Sequence, residues 1–177
     1  MAADKKGDIG RYLDRLGRYL KQEVAHQKYS VLLSHRKYAL ELLEETRLLK
    51  CKPTNRLMEA NADLWFDDSH ALDNLGRYMR LIGKQIYLTV TWPDITFVVG
   101  VLSRMHQPRE TYWLASMRVL AYIKSYPGKG LVYRKHGHIR ISEKFDSGYV
   151  GDRGARKSTT GCCTFVRENL VTWKSKK

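Results

Sequence analysis

Apolar residues recur every three or four positions through the middle of the chain, which is the spacing of helices with one buried face. The spacing predicts helices over about 75–91, 95–105 and 109–126. Trp92-Pro93 and Gln107-Pro108 separate them, because a proline pushes the preceding residue out of the helical region. The expected buried stripes are Tyr78, Leu81, Ile82 and Ile86 in the first helix, and Trp113, Met117, Leu120 and Ala121 in the last.

Both flanks of this helical centre carry shorter elements. Residues 29–33 alternate as a strand, and Ser34 is then expected to cap a helix that runs to about Leu49 with a buried stripe containing Ala39, Leu42 and Leu43. Asp94 is the expected N-cap of the helix over 95–105. After Gly130 the pattern changes to short strands, which are predicted over 131–133, 138–141, 162–166 and 170–173, with a tight turn at 167–169.

Composition narrows the possible partners of this fold. The 177 residues include 32 lysines and arginines against 18 aspartates and glutamates, so the formal net charge is +14. Such a surplus favours polyanions, with nucleic acid ahead of anionic membrane. No apolar run approaches the ~20 residues that span a bilayer, and the first ten residues lack a signal-peptide core. We therefore expect an intracellular protein, cytoplasmic or nuclear.

Few residue patterns suggest chemistry of their own. The three cysteines lack C-x-x-C spacing, so neither a zinc site nor a disulfide framework is indicated. His136 and His138 have no evident third ligand and are expected to be surface histidines. Asp67-Asp68 lies in a polar connector without flanking strand patterns, which is typical of a solvated loop. No metal site and no small-molecule substrate are predicted.

Six stretches in a fixed order resemble the Pol polyprotein of copia-type LTR retrotransposons. They are residues 33–43 (LSHRKYALELL), 76–84 (GRYMRLIGK), 87–95 (YLTVTWPDI), 127–131 (PGKGL), 156–161 (RKSTTG) and 172–177 (TWKSKK). The resemblance covers about 16–177 and spans the end of the reverse transcriptase, its thumb and connection, and the start of RNase H.

This resemblance implies an α+β fold with a short strand–helix unit, a helical thumb- and connection-like middle, and the opening β-strands of an incomplete RNase H-like sheet. The implied divisions are a diverged segment over 1–15, the end of the palm and start of the thumb over 16–51, a connector over 52–74, the helical thumb and connection over 75–130, and the RNase H-like start over 131–177.

The resemblance also implies which chemistry the chain lacks. Family members hold Mg²⁺ or Mn²⁺ with clustered carboxylates, and their polymerase Asp-Asp turn lies upstream of the matching region. In the RNase H opening the family has two aspartates where this chain has Asp146 and Gly148. One carboxylate makes no two-metal site, so Asp146 is expected to be vestigial and the isolated chain is expected to be neither a polymerase nor an RNase H, without a cofactor.

Basic residues carry the expected binding function. Arg77, Arg80 and Lys84 follow helical spacing and share a face, and such rows contact phosphates rather than bases. The full expected set is Arg36, Lys37, Arg77, Arg80, Lys84, Arg156, Lys157 and Lys174, and the expected partner is duplex or RNA–DNA hybrid without sequence preference.

Three readings of the function follow from these features. The first is a truncated, diverged Pol fragment that has no catalysis of its own. The second is a retained, non-specific nucleic-acid-binding module. The third is one piece of an active RNA-directed DNA polymerase and RNase H polyprotein, for which an upstream Asp-Asp turn in frame would be the discriminating feature.

Overall fold

Helices separate the strands of one sheet and precede those of another in the computed structural model, which describes residues 22–58, 69–152 and 157–176. The elements are β1 (Glu23–His26), β2 (Ser30–Ser34), α1 (Arg36–Glu45), α2 (Leu75–Leu88), a 3-10 turn (Pro93–Ile95), α3 (Thr96–Leu102), α4 (Glu110–Ser125), β3 (Gly130–Arg134), β4 (Ile141–Asp152), β5 (Lys157–Val166) and β6 (Asn169–Lys176). The described residues thus form a mixed α and β fold with two three-stranded antiparallel sheets and four α-helices.

The first sheet has the order β1-β2-β3, so its two neighbouring strands β2 and β3 enclose all four helices in sequence. Ser34 pairs with Gly130 and Ser30 pairs with Arg134. The sequence placed 131–133 with the strands that follow it, and this grouping is wrong. The hydrophobic pattern of a strand predicts its conformation but not the strand that it pairs with. Here the four helices return the chain to β2, and β3 pairs with that strand.

The second sheet is a meander with the order β4-β5-β6. The predicted turn at 167–169 is confirmed: Arg167 and Glu168 have φ of 52° and 60°, and Val166 pairs with Asn169. Positive φ at both central residues is typical of the turn that joins two strands most tightly. The strand predicted over 138–141 begins only at Ile141.

The core is built from the four helices and the segments that join them. Every described residue that is buried falls between Ser34 and Ile123 in the sequence. The predicted buried stripes are confirmed at Tyr78, Leu81, Ile82 and Leu120 but not at every position. Ile86 is 47% exposed, and Gln85 is buried instead, where its Nε2 donates to the carbonyl of Ser116 at 2.7 Å. In α4 the buried residues are Tyr112, Ser116, Val119, Leu120 and Ile123, while Trp113 and Met117 are only partly buried.

Two expected helix caps are also wrong. Ser34 ends β2, and its hydroxyl lies 3.4 Å from Glu23 Oε2, while α1 ends at Glu45 rather than near Leu49. Asp94 lies inside the 3-10 turn, and its carboxylate accepts hydrogen bonds from distant side chains. An acceptor side chain satisfies whichever donor the tertiary fold brings closest, so local spacing alone does not make it a cap.

A side-chain hydrogen bond links the C-terminal sheet to the helical core. Trp173 Nε1 donates to the carbonyl of Thr89 at 2.9 Å. Two large apolar side chains of β4 are exposed to solvent, Ile141 at 65% and Phe145 at 66%. Among the described residues no helix is long and apolar enough to cross a membrane.

Candidate nucleic-acid interface

A basic groove lies where the end of α1 and the start of α4 meet α2. Its lining residues are Glu45, Thr46, Arg77, Arg80, Leu81, Lys84 and Trp113, around a volume of about 210 Å³. The side chain of Asn74 caps α2 by accepting the Arg77 N–H at 2.8 Å, which fixes where the row of cations begins. The expected triplet of Arg77, Arg80 and Lys84 is therefore brought together on one surface.

The three cations of this groove are not equivalent. Lys84 Nζ is hydrogen-bonded to the Glu45 carboxylate, so part of its charge is neutralised. The Arg77 guanidinium lies over the Trp113 ring, 4.8 Å from its centroid, which orients the group without pairing its charge. No carboxylate of the described residues forms an ion pair with Arg77 or Arg80. Both guanidiniums can therefore donate to an oxyanion at this surface.

The structure separates Arg36 and Lys37 from the groove. They begin α1, whereas Glu45 ends it, so about 14 Å of helix lies between them. Lys37 Nζ lies 4.0 Å from Glu41, and both side chains are largely exposed. The Cδ atom of Arg36 lies 3.7 Å from the position that a Cβ on Gly128 would occupy. Arg36 thus lies against the turn that follows α4.

Lys174 belongs to a third location. It lines a cleft of about 370 Å³ between the C-terminal sheet and the start of α3, together with Asp146, Phe97 and Trp173. Arg156 lies outside the described residues, and only the backbone of Lys157 is described, as the first residue of β5. The eight expected basic residues do not form one continuous surface among the positions that the structure describes.

Asp146 lies on β4 opposite Gly161 and is exposed. Within the ranges 22–58, 69–152 and 157–176, no group of three or more His, Cys, Asp or Glu side chains could hold a metal ion. Asp67-Asp68 lies outside these ranges. The chemistry available at Asp146 in the described structure is that of a single carboxylate.

One cluster escaped the sequence analysis, and it lies at the end of α4. Tyr122 Oη and Lys129 Nζ both donate to Asp94 Oδ2, at 2.5 Å each. Burial raises the pKa of Tyr122, and its hydrogen bond to Asp94 raises it further. Burial lowers the pKa of Lys129, but the hydrogen bond and negative charge of Asp94 outweigh that effect and raise it. Because Asp94 lies 35 positions before Lys129, no local spacing could indicate this pairing.

The same end of α4 forms an open depression of about 560 Å³, which we call the tyrosine shelf. Its lining residues are Tyr122, Tyr126, Pro127, Gly128 and Lys129. The Lys129 ammonium lies over the rings of Trp92 and Tyr122, 5.5 and 5.6 Å from their centroids. The shelf therefore combines aromatic faces with a cation held in place.

His136 and His138 are near a carboxylate that sequence reasoning missed. His138 Nε2 lies 3.6 Å from Glu168 Oε1, and His136 Nδ1 lies 3.8 Å from Glu168 Oε2. Asn169 also donates to the carbonyl of Arg134 and accepts from its N–H, at 2.9 and 2.7 Å. These contacts join the segment after β3 to the turn between β5 and β6.

Comparison with known proteins finds similar sequences among transposon polyproteins. The chain is 32% identical over 146 residues to the retrovirus-related Pol polyprotein from transposon RE2 of Arabidopsis thaliana, and 31% identical over 146 residues to that from transposon RE1. Each match covers 82% of this chain and 10% of the polyprotein. An uncharacterized mitochondrial protein of Arabidopsis thaliana is 31% identical over 148 residues, which is 83% of this chain and 61% of that protein.

The chain spans about a tenth of the length of the two transposon polyproteins. No family model matches the chain, and no solved structure matches it.

Proposed function

Since this chain belongs to the retrotransposon Pol polyproteins, we propose that it is a copia-type fragment that binds duplex nucleic acid through phosphate contacts. The basic groove carries this proposal, because it presents Arg77 and Arg80 without an ion-pair partner among the described residues. The net charge of +14 adds a long-range attraction for a polyanion. Duplex and RNA–DNA hybrid are the proposed partners.

The geometry of the groove favours contact with a backbone rather than with bases. Arg77 and Lys84 lie seven residues apart on one helix, so the row extends about 10 Å along α2. The Arg77 and Arg80 side chains lie on a helix whose opposite face is held in the core through Tyr78 and Ile82. Such a row fixes the position of a duplex and carries no sequence information.

The C-terminal sheet supports the finer assignment to the start of RNase H. A meander of three antiparallel strands follows the helices, and Asp146 lies on the first of them. In this proposal the parent polyprotein would supply the remaining carboxylates and the Mg²⁺ or Mn²⁺ ions that they hold. The isolated chain is proposed to have no catalysis of its own.

The binding proposal predicts a specific salt dependence. The affinity for a duplex should fall with salt at a slope of about −0.9 for each phosphate contact, with Kd on the order of micromolar at moderate salt. Replacing Arg77 and Arg80 by glutamate (R77E/R80E) should weaken binding about tenfold or more and make the slope shallower by about 2. Fluorescence anisotropy titrations at several salt concentrations measure both quantities.

A charge-matched control separates the groove from net charge. Arg104 and Lys135 are exposed and lie outside the groove, so R104E/K135E changes the charge by the same amount. This control should lose much less affinity than R77E/R80E. Equal losses in the two variants would exclude the groove as the interface, and an affinity that does not depend on salt would exclude phosphate contacts altogether.

The catalytic part of the proposal has its own assay. Primer extension and cleavage of an RNA–DNA hybrid are expected to stay at background with Mg²⁺ or Mn²⁺, because no described group of side chains could hold a metal ion. Activity above background that disappears in Asp146→Asn would overturn this expectation and assign catalysis to β4.

A further inference from the structure

The tyrosine shelf contains aromatic and basic residues that play no part in the proposed duplex binding. The Tyr126 side chain is 59% exposed although it follows the last turn of α4. The backbone of Tyr126 begins a turn in which the Lys129 N–H donates to the Tyr126 carbonyl at 2.8 Å. Pro127 occupies the second position of this turn, where its fixed φ favours the bend. An exposed aromatic ring thus lies at the start of a hydrogen-bonded turn.

Two cations lie close to the turn that Tyr126 begins. Lys129 ends that turn, and its ammonium is hydrogen-bonded to Asp94 and lies over the rings of Trp92 and Tyr122. Arg36 contacts the same turn, since its Cδ lies 3.7 Å from the position that a Cβ on Gly128 would occupy. Among the described residues no carboxylate forms an ion pair with Arg36. The Arg36 guanidinium therefore keeps its full charge for an external anion.

We propose that the tyrosine shelf binds unpaired nucleotides of a single-stranded polynucleotide, with a base stacked on Tyr126 and the adjoining phosphate contacted by Arg36. Aromatic side chains flanked by cations are the elements with which proteins bind single strands, because every base offers a flat face to the ring. The interior bases of a duplex cannot use such a shelf, since they are stacked on one another. This inference rests on the proposal that the chain binds nucleic acid, but it uses none of the groove residues.

The shelf and the basic groove are separate sites. Arg36 and Glu45 lie at opposite ends of α1, about 14 Å apart along its axis. Substitutions at such a separation act independently in general. A change at Tyr126 should therefore leave the contacts of Arg77 and Arg80 intact.

Three ligands of about 15 nucleotides distinguish stacking from phosphate contact: oligothymidine, an abasic strand of the same length, and a blunt duplex. Tyr126→Ala should weaken binding of oligothymidine about tenfold, within the range that stacking of one base supports. It should change binding of the abasic strand and of the duplex less than about twofold, because the abasic strand has no bases and the duplex exposes a base face only at its two terminal pairs. Tyr126→Phe retains the ring and should bind all three like the wild type.

A matched control comes from a second exposed tyrosine. Tyr29 is 67% exposed, and Lys28 lies 5.1 Å from its ring centroid, so it is an exposed ring beside one cation that lies outside the shelf. Tyr29→Ala should leave all three affinities unchanged. The inference is overturned if Tyr126→Ala leaves oligothymidine binding unchanged, or weakens the abasic strand equally. It is also overturned if a proline-rich peptide, and not oligothymidine, binds in a way that depends on Tyr126.

The outcomes separate this inference from the duplex proposal. Binding of the duplex without a Tyr126-dependent preference for oligothymidine would exclude single-strand binding at the shelf and would still support duplex binding at the groove. A Tyr126-dependent preference without duplex binding would support the shelf and exclude the groove. A wild-type chain that binds none of the three ligands would overturn both proposals.

Discussion

Replacing Gly130 with alanine is expected to destabilise the chain by about 3 kcal/mol or more, because the new methyl group has no space. A Cβ at Gly130 would lie 2.1 Å from the carbonyl oxygen of Leu33 and 3.0 Å from its carbonyl carbon. Both atoms belong to the backbone of β2, which cannot move aside without breaking the pairing of Ser34 with Gly130. Chemical denaturation followed by circular dichroism measures the loss.

A second glycine provides the control for this substitution. Gly83 lies on an exposed face of α2, and a Cβ there would meet nothing within 4 Å. Gly83→Ala should therefore stabilise the chain by up to about 1 kcal/mol, which is the helix preference for alanine over glycine. A Gly130→Ala variant that unfolds at the wild-type denaturant concentration would contradict the close approach of β3 to β2.

The need for glycine at this position illustrates what sequence patterns leave out. The pattern after Gly130 predicted a strand, and β3 does begin there. Its pairing with β2 depends on a contact across almost 100 positions, which only the assembled helices create. Periodicity in the central region was sufficient to place α2 and α4, because the burial of Tyr78, Ile82 and Leu120 is repeated along each helix.

The two candidate sites also differ in how far the sequence alone predicts them. The groove cations Arg77 and Arg80 lie on one helix, so helical spacing alone predicts that they share a face. The tyrosine shelf needs Arg36 from α1 and Asp94 from the 3-10 turn, and neither lies near Tyr126 in the sequence. The resemblance to retrotransposon Pol polyproteins is confirmed, but a family resemblance places segments and not the contacts between them.

Raising the pH above about 10 is expected to unfold the helical core, and Tyr78 is the main cause. Its side chain is fully buried, and its hydroxyl donates to the carbonyl of Leu102 at 2.9 Å. Burial raises the pKa of Tyr78 well above its ordinary value, and the nearby Tyr112 raises it further. In the unfolded chain a tyrosine ionises near pH 10. Burial also raises the pKa of Tyr38, Tyr87, Tyr122 and Tyr133.

The sign of the effect follows from these directions. A folded-state pKa above the unfolded value means that the neutral tyrosine stabilises the fold fully below about pH 10. That contribution is lost as the pH rises toward the folded-state value, because only the unfolded chain can release the proton. Tyrosinate absorbance and the helical dichroism signal should therefore change together for the buried tyrosines.

Tyr78→Phe separates the ionisation from the packing of the ring. The variant should be about 1 kcal/mol less stable at neutral pH, since the hydrogen bond to Leu102 is lost. The free energy of unfolding should nevertheless fall less with rising pH in this variant than in the wild type, because the most strongly shifted group is gone. Tyr29→Phe, at an exposed position, should change neither quantity. Ionisation of all eleven tyrosines near pH 10 with the helical signal intact would show that Tyr78 is not enclosed by the core.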